Sequence, residues 1–407
     1  MNAEIKTRIE MISRGEVPEG YKKTKVGIIP EDWEVKRLGE LGKFFRGKGI
    51  PKSRILTEGI GCITYGEIYT TYNYTFKNFK SYINERTAKN SVPIKKNDIL
   101  FAGSGETLEE IGKCVAYLGE DQAYAGGDIV VFRPYDIDGE VLGYLLNHDI
   151  VNNQKYKLGQ GHSVVHIYAK DLETILIPVI HEKEQQKIAQ ILSTWDEAIE
   201  LKEKLIEQKK QQKKGLMQKL LTGEVRLPGF DGEWEEVEFN KIFSRIPSNK
   251  YQIKTKDYLE DGLYPVVDQG KQKIIAYSNH EDKLFKIKSD GVIVFGDHTR
   301  EVKYIDFDFI IGADGTQLIK TKEGFDIKFY YYHLLIKKIP DTGYNRHFKF
   351  LKEMMFYYPP LPEQKAIAQI LSTADKEIEL LEKELELLKL QKKGLMQLLL
   401  TGIVRVN

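Results

Sequence analysis

Apolar residues recur along two stretches of the chain in alternating steps of four and three, the spacing that lines one face of a helix. In the later stretch they are Ile367, Leu371, Ala374, Ile378, Leu381, Leu385, Leu388 and Leu395, interrupted once by Lys392. In the earlier stretch Ile188, Leu192, Trp195, Ile199 and Ile206 keep the pattern, but Lys202, Lys209 and Lys213 stand where apolar residues are expected. Both read as heptad seams, the earlier one poorer toward its C-terminal half. Each predicts a helix of about 38 residues, a rod of roughly 57 Å. Pro362 suits a first turn, and Gly223 and Gly402 are natural stops. Gly215 and Gly394 fall inside the helical pattern and predict a bend or a close approach by another subunit, each costing about 1 kcal/mol against alanine. Elsewhere short strand-like runs end in glycine-bearing loops, as in NDILFAGSG, so the remainder is of mixed α+β type.

The two helical stretches are copies. EQQKIAQILSTWDEAIELKEKLIEQKKQQKKGLMQKLLTGEVR from Glu184 aligns without a gap on the stretch from Glu363, and about 30 of 43 positions are identical. Periodicity alone does not reproduce runs such as IAQILST and KKGLMQ, so the match means an internal duplication. Weaker echoes extend it. EDWEVKRLGELGKFF around Trp33 parallels GEWEEVEFNKIFSR around Trp234, NDILFAGSG parallels SDGVIVFGD, and AYAGGDIVVF parallels FIIGADGTQLI. The helices stayed alike while the globular parts diverged. An amphipathic helix of this length needs a partner, and the other copy supplies one. Two such units pair about a pseudo-two-fold axis, with the helices antiparallel and one globe at each end.

Composition narrows the function. At 407 residues the chain has room for two or three domains. Lys+Arg 61 against Asp+Glu 60 excludes a uniformly basic nucleic-acid binder, so any such partner is met by local basic loops. Two cysteines, Cys62 and Cys114, exclude a disulfide framework and a CxxC zinc site. No apolar run reaches the roughly 18 residues of a membrane span, and the opening stretch lacks a signal-peptide core, so the expected compartment is cytoplasmic.

Double-stranded DNA is itself pseudo-two-fold, so two related readers on a rigid spacer suit a split site. In the first globe FFRGKGIPKSR carries Arg46, Lys48, Lys52 and Arg54 without an acid, followed by Tyr65 and Tyr69. In the second, Gln269, Lys271 and Lys273, His298 and Arg300, and Arg346 and His347 are the comparable candidates. Cations of this kind lie on phosphate, while arginine and glutamine also match guanine and adenine edges. The helix-pairing candidates are Ile188, Leu192, Trp195, Ile199, Ile367, Leu371, Ile378, Leu381 and Leu385.

The paired EQ..IA.ILS.D and KKGLMQ.LLTG helices, together with IPEDWEVKRLGEL and the GSGETLEEIG…AYAGGDIVVFRP block, resemble the specificity subunits of type I restriction-modification enzymes over nearly the whole chain. The resemblance implies two target-recognition domains separated by two helices packed as an antiparallel coiled coil. The expected limits are a 1–25 N-terminal segment, domains at 26–175 and 227–356, and helical regions at 176–226 and 357–407. It further implies that each domain reads half of a bipartite site, and that the helices set the spacing and dock two modification subunits, with restriction subunits joining them. S-adenosylmethionine, ATP and Mg2+ are then expected on those partners and none on this chain.

Catalytic motifs point the same way. Phe101, Gly103 and Gly105 fit the F-x-G-x-G of adenine methyltransferases, but the Asn-Pro-Pro-aromatic companion is missing and the glycines read as a loop after a strand. Asp268 and Lys271 are not in a nuclease E/D-x-K arrangement, and His162 and His166 lie about 13 Å apart if their stretch is extended. The expectation is a non-catalytic DNA-specificity chain without a metal. The competing reading is a scaffold whose globes bind protein.

Overall fold

The fold is that of a computed structural model, which describes residues 3–161, 164–288, 290–312, 314–341, 343 and 345–406. The chain divides into two compact units, residues 1–200 with 386–407, and residues 201–385. The two long helices, Glu182–Leu221 and Leu361–Leu400, each contribute a segment to both.

In the first unit a five-stranded sheet is built from Gly42–Arg46, Ile129–Pro134, Ile99–Ala102, Cys114–Tyr117 and Thr75–Phe76, in that spatial order. Period two divides its residues between two cores. Ile99, Phe101, Cys114, Ala116 and Phe132 face the helix Gly139–Leu145 and the long-helix residues Ile188, Leu192, Met396, Leu399 and Leu400. Leu100, Ala102, Val115, Tyr117 and Val131 face the other way, toward Ile63, Ile94, Ala123 and Ala125 of a second, four-stranded sheet. Burial on both faces explains why these strands read as continuous apolar runs. The strand Glu34–Arg37 pairs with Leu176–Val179, which carries the globular part to Val179, four residues past the expected limit at 175.

The second unit repeats the plan. Its sheet runs Phe243–Ile246, Thr316–Thr321, Val292–Gly296, Val302–Ile305, and a second sheet again packs on one face. Ile293, Phe295 and Ile319 face Tyr330, Ile367 and Leu371, while Val292, Val294 and Leu318 face Val267, Phe309 and Ile311. The echoes seen in the sequence are therefore equivalent strands. Here too the outer pair, Glu235–Glu238 with Met355–Tyr358, crosses the expected limit at 356.

Each globe is locked to the helices by the same polar network. Trp33 Nε1 donates to Glu184 at 3.1 Å, and Arg405 grips Glu184 at 2.8 Å and Asp32 at 2.8 and 2.9 Å. In the other unit Trp234 donates to Glu363 at 3.0 Å and Arg226 grips Glu363 at 2.7 Å. Gln185 and Gln364 each accept from the backbone of an equivalent helix N-cap, Asp138 and Asp326, at 2.9 and 2.8 Å. Further along, Tyr144 donates to Asp196, which pairs with Lys392, and Tyr332 donates to Asp375, which pairs with Lys213.

These contacts correct the reading of a poor seam. Lys202, Lys209 and Lys213 meet Glu384, Glu377 and Asp375 across the helix pair, the first two at 2.8 and 2.6 Å, and the order of the pairs shows antiparallel packing. Ile188, Leu192, Ile367, Leu371, Ile378 and Leu385 are buried, and Trp195, Ile199 and Leu381 are half-buried. Gly215 and Gly394 mark no close approach within the chain, since a Cβ added at either meets nothing within 4 Å. No helix among the described residues is long and apolar enough to cross a membrane.

Candidate nucleic-acid interface

In the first domain the sheet register sets Arg46 opposite Val130 and Ala102 opposite Ile129, so three strands end together. The loops beyond are tied by backbone bonds. Gly103 N donates to Asp128 O at 2.7 Å, Gly126 N to Ile63 O at 2.9 Å, and Ile167 N to Gly103 O at 3.0 Å. Only glycine fits at residue 47, where a Cβ would fall 2.1 Å from Gly126 O. Asp128 sits at φ +58°, a left-handed conformation that aspartate tolerates better than most residues.

The second domain makes the same three ties. Asp297 N donates to Gly315 O at 2.7 Å, Gly312 N to Val267 O at 2.8 Å, and His347 N to Asp297 O at 2.8 Å. The backbone frame is shared while the side chains on it differ. Ser104 and His166 of the first domain correspond to His298 and Arg346 of the second.

The first domain's loops enclose an open pocket of about 320 Å³ lined by Arg46, Ser104, Asp128, His166, Tyr168 and Lys170. Ser104 Oγ and His166 Nδ1 lie 3.0 Å apart. The expected Arg46, Lys48, Lys52 and Arg54 are all exposed, and no carboxylate pairs with them among the described residues. Tyr65 is 42% exposed, but the Tyr69 hydroxyl donates to Ser104 O at 3.0 Å, so it steadies a loop and is not free to stack on a base.

The second domain's candidates are more committed. Gln269 accepts from His298 N at 3.1 Å and donates to Asp314 O at 3.0 Å, so its amide braces two loops. Arg300 pairs with Asp341 at 2.7 Å, Arg346 with Asp314 at 3.5 Å and Lys273 with Asp306 at 3.8 Å; Lys271 is exposed. His347 is completely buried, with Nδ1 3.0 Å from Asp297 O, which removes it from any surface contact. His298 is half-buried.

Ser104, Asp128, His166, Tyr168 and Lys170 were not among the expected site residues. Ser104 and Asp128 lie in the stretches that echo between the copies, which was the available signal for them; His166, Tyr168 and Lys170 lie outside those stretches. His162 lies outside the described residues, and no group of three described side chains is placed to hold a metal. Gly103 links the strand Ile99–Ala102 to the two-residue strand Ser104–Gly105, which pairs antiparallel with Val165–His166, so Gly105 lies in a strand and not in the expected loop. Asp268 accepts from Gly270 N at 2.8 Å and lies 3.8 Å from Lys303.

Comparison with known proteins agrees with this architecture. The family model of the type I restriction modification DNA specificity domain matches twice, at residues 30–211 and 231–390. The chain named as the type I restriction enzyme MjaX specificity subunit of Methanocaldococcus jannaschii is 31% identical over 96% of this chain and 97% of its own length. The MjaVIII specificity subunit of the same organism is 30% identical over 51% of this chain and 50% of its own. In fold, the S subunit of a type I restriction-modification system from M. genitalium superposes with a TM-score of 0.60 at 18% identity, covering 90% of this chain and 96% of the other. With the family model matched over most of its length, this chain belongs to the type I restriction-modification DNA specificity family, as a non-catalytic specificity subunit.

Proposed function

We propose that each globular domain reads one half of a bipartite site in duplex DNA, and that the paired helices set the gap and dock two modification subunits, to which restriction subunits add. S-adenosylmethionine, ATP and Mg2+ act on those partners. The observation that carries this reading is the contrast between a Trp–Glu–Arg helix network present in both copies and loop frames that bear different side chains at matching positions. A scaffold with one function needs no such split; two readers of different sequences do. Exposed leucines on the helices, including Leu201 at 59%, Leu380 at 61% and Leu390 at 66%, support a docking face for protein partners.

The test is a domain exchange. Residues 227–356 are replaced by the corresponding domain of a relative, the chain is assembled with its modification partner, and the methylated adenines in a genomic DNA are mapped. One half of the recognised site changes and the other persists. If both halves stay as they were, or no site is methylated by the unaltered complex, the reading fails.

A further inference from the structure

The pocket of the first domain carries a donor and acceptor pattern that fits one base pair better than the rest. Arg46 and Lys170 line it as donors beside the His166 imidazole, and Asp128 is the one carboxylate among the lining residues. Arg46 and Asp128 are exposed, and neither side chain is engaged by another group among the described residues. Val130 lies directly across from Arg46, and Asp128 stands two residues before it, in the loop that leads into the strand Ile129–Pro134. The imidazole of His166 is steadied by Ser104 and stacked beside Tyr168, with ring centroids 6.3 Å apart. In the major groove guanine offers two acceptors, O6 and N7, and its cytosine offers the N4 donor. Arginine matches the first pair as a fork, and a carboxylate matches the second. A phosphate in the same place would bring its charge against Asp128.

We infer that this pocket reads a G·C pair of one half-site, Arg46 donating to guanine O6 and N7 and Asp128 accepting from cytosine N4. The inference rests on the proposed DNA reading and goes beyond it by naming the pair and the residues.

The experiment uses the full chain assembled with its modification partner, selecting from duplexes randomised at the site, with wild type, R46A, R46K and D128N compared. Wild type enriches a bipartite site with G·C at one position of one half. R46A lowers that preference by about ten- to a hundredfold and R46K, which lacks the guanidinium fork, lowers it by less, while the other half is unchanged. R46K retains the charge, so its salt dependence stays that of wild type. D128N relaxes the same position. Retention of the G·C preference in R46A and R46K overturns the inference, as does a uniform loss of affinity on every sequence, the behaviour of a phosphate contact. If wild type enriches no bipartite site, the DNA reading itself falls and this assignment with it.

Discussion

Where the first domain sets Ser104 and His166 against an open pocket flanked by unpaired cations, the second sets His298 and Arg346 at the matching positions and engages its arginines with Asp341 and Asp314. The loop ties beneath are the same in both, to within 0.2 Å bond for bond. Divergence is confined to what the frame displays. A second comparison lies deeper, where the domains meet the helices. Lys392 is 4% exposed, pairs with Asp196 and lies 4.0 Å from the Tyr74 ring centroid and 4.9 Å from that of Tyr144. Its counterpart Lys213 keeps 17% of its side chain exposed and lies near Tyr332 alone, at 5.4 Å. Burial pulls the Lys392 ammonium below the ordinary lysine range, and Asp196 acts in the opposite direction. The two pairs thus differ in the lysine, whose side chain is 5% exposed in the first unit and 17% in the second, while the aspartates are similarly open at 32% and 40%.

That difference sets the largest expected effect. Asp196→Ala leaves Lys392 as an unpaired buried charge and costs about 3–5 kcal/mol. Asp375→Ala strands a cation that water reaches, and costs roughly 1 kcal/mol. Amide exchange in the helix segments 182–200 and 361–385 reads the two effects separately. Equal losses would show that the two pairs are equivalent after all.

A smaller difference concerns His333, which occupies the position of Leu145 in the first copy. It is 1% exposed, neither ring nitrogen has a well-formed hydrogen bond, and burial, helped by Lys337, pushes its pKa down to about 3 against a weak pull from the Leu221 backbone. The folded state holds it neutral while the unfolded chain takes up a proton below about pH 6.5, so stability is present above that pH and declines as pH falls toward 3. At pH 5 the loss is on the order of 2 kcal/mol. His333→Leu removes this acid-side decline and stabilises the second unit by about 1–3 kcal/mol at neutral pH. Denaturant midpoints from pH 7 to pH 5 check it, and an unchanged pH slope in the variant would exclude His333 as its source.

The smallest effect tests where the two units are alike. Gly215→Ala and Gly394→Ala each meet open space and are expected to stabilise their helices equally, by about 1 kcal/mol. Thermal midpoints of the two single variants read this directly. Unequal shifts would mean that one glycine serves a contact the other lacks.

Helix pairing and duplication were legible because a match such as IAQILST is local and survives any packing. The lysine seam reads as poor in the sequence for a physical reason: a heptad count sees one helix, and the acids that complete Lys202 and Lys209 are Glu384 and Glu377 on the other. His347 looked like a surface reader beside Arg346, yet the helix Phe348–Lys352 begins at the next residue and turns the ring inward. The pocket is not legible in the sequence because it is assembled from segments around residues 46, 104, 128 and 166, which no motif joins.

The Arg405 clasp on Asp32 and Glu184 bears on the order in which the protein is made. Residues 201–385 form a unit uninterrupted in sequence, so it can fold as soon as it has emerged from the ribosome. The other unit begins first, but its core waits for Met396, Leu399 and Leu400, and its clasp for Arg405, all synthesised after the intervening unit. The domain begun earliest is thus completed latest, and until then the apolar face that Ile188 and Leu192 belong to stands open to the solvent.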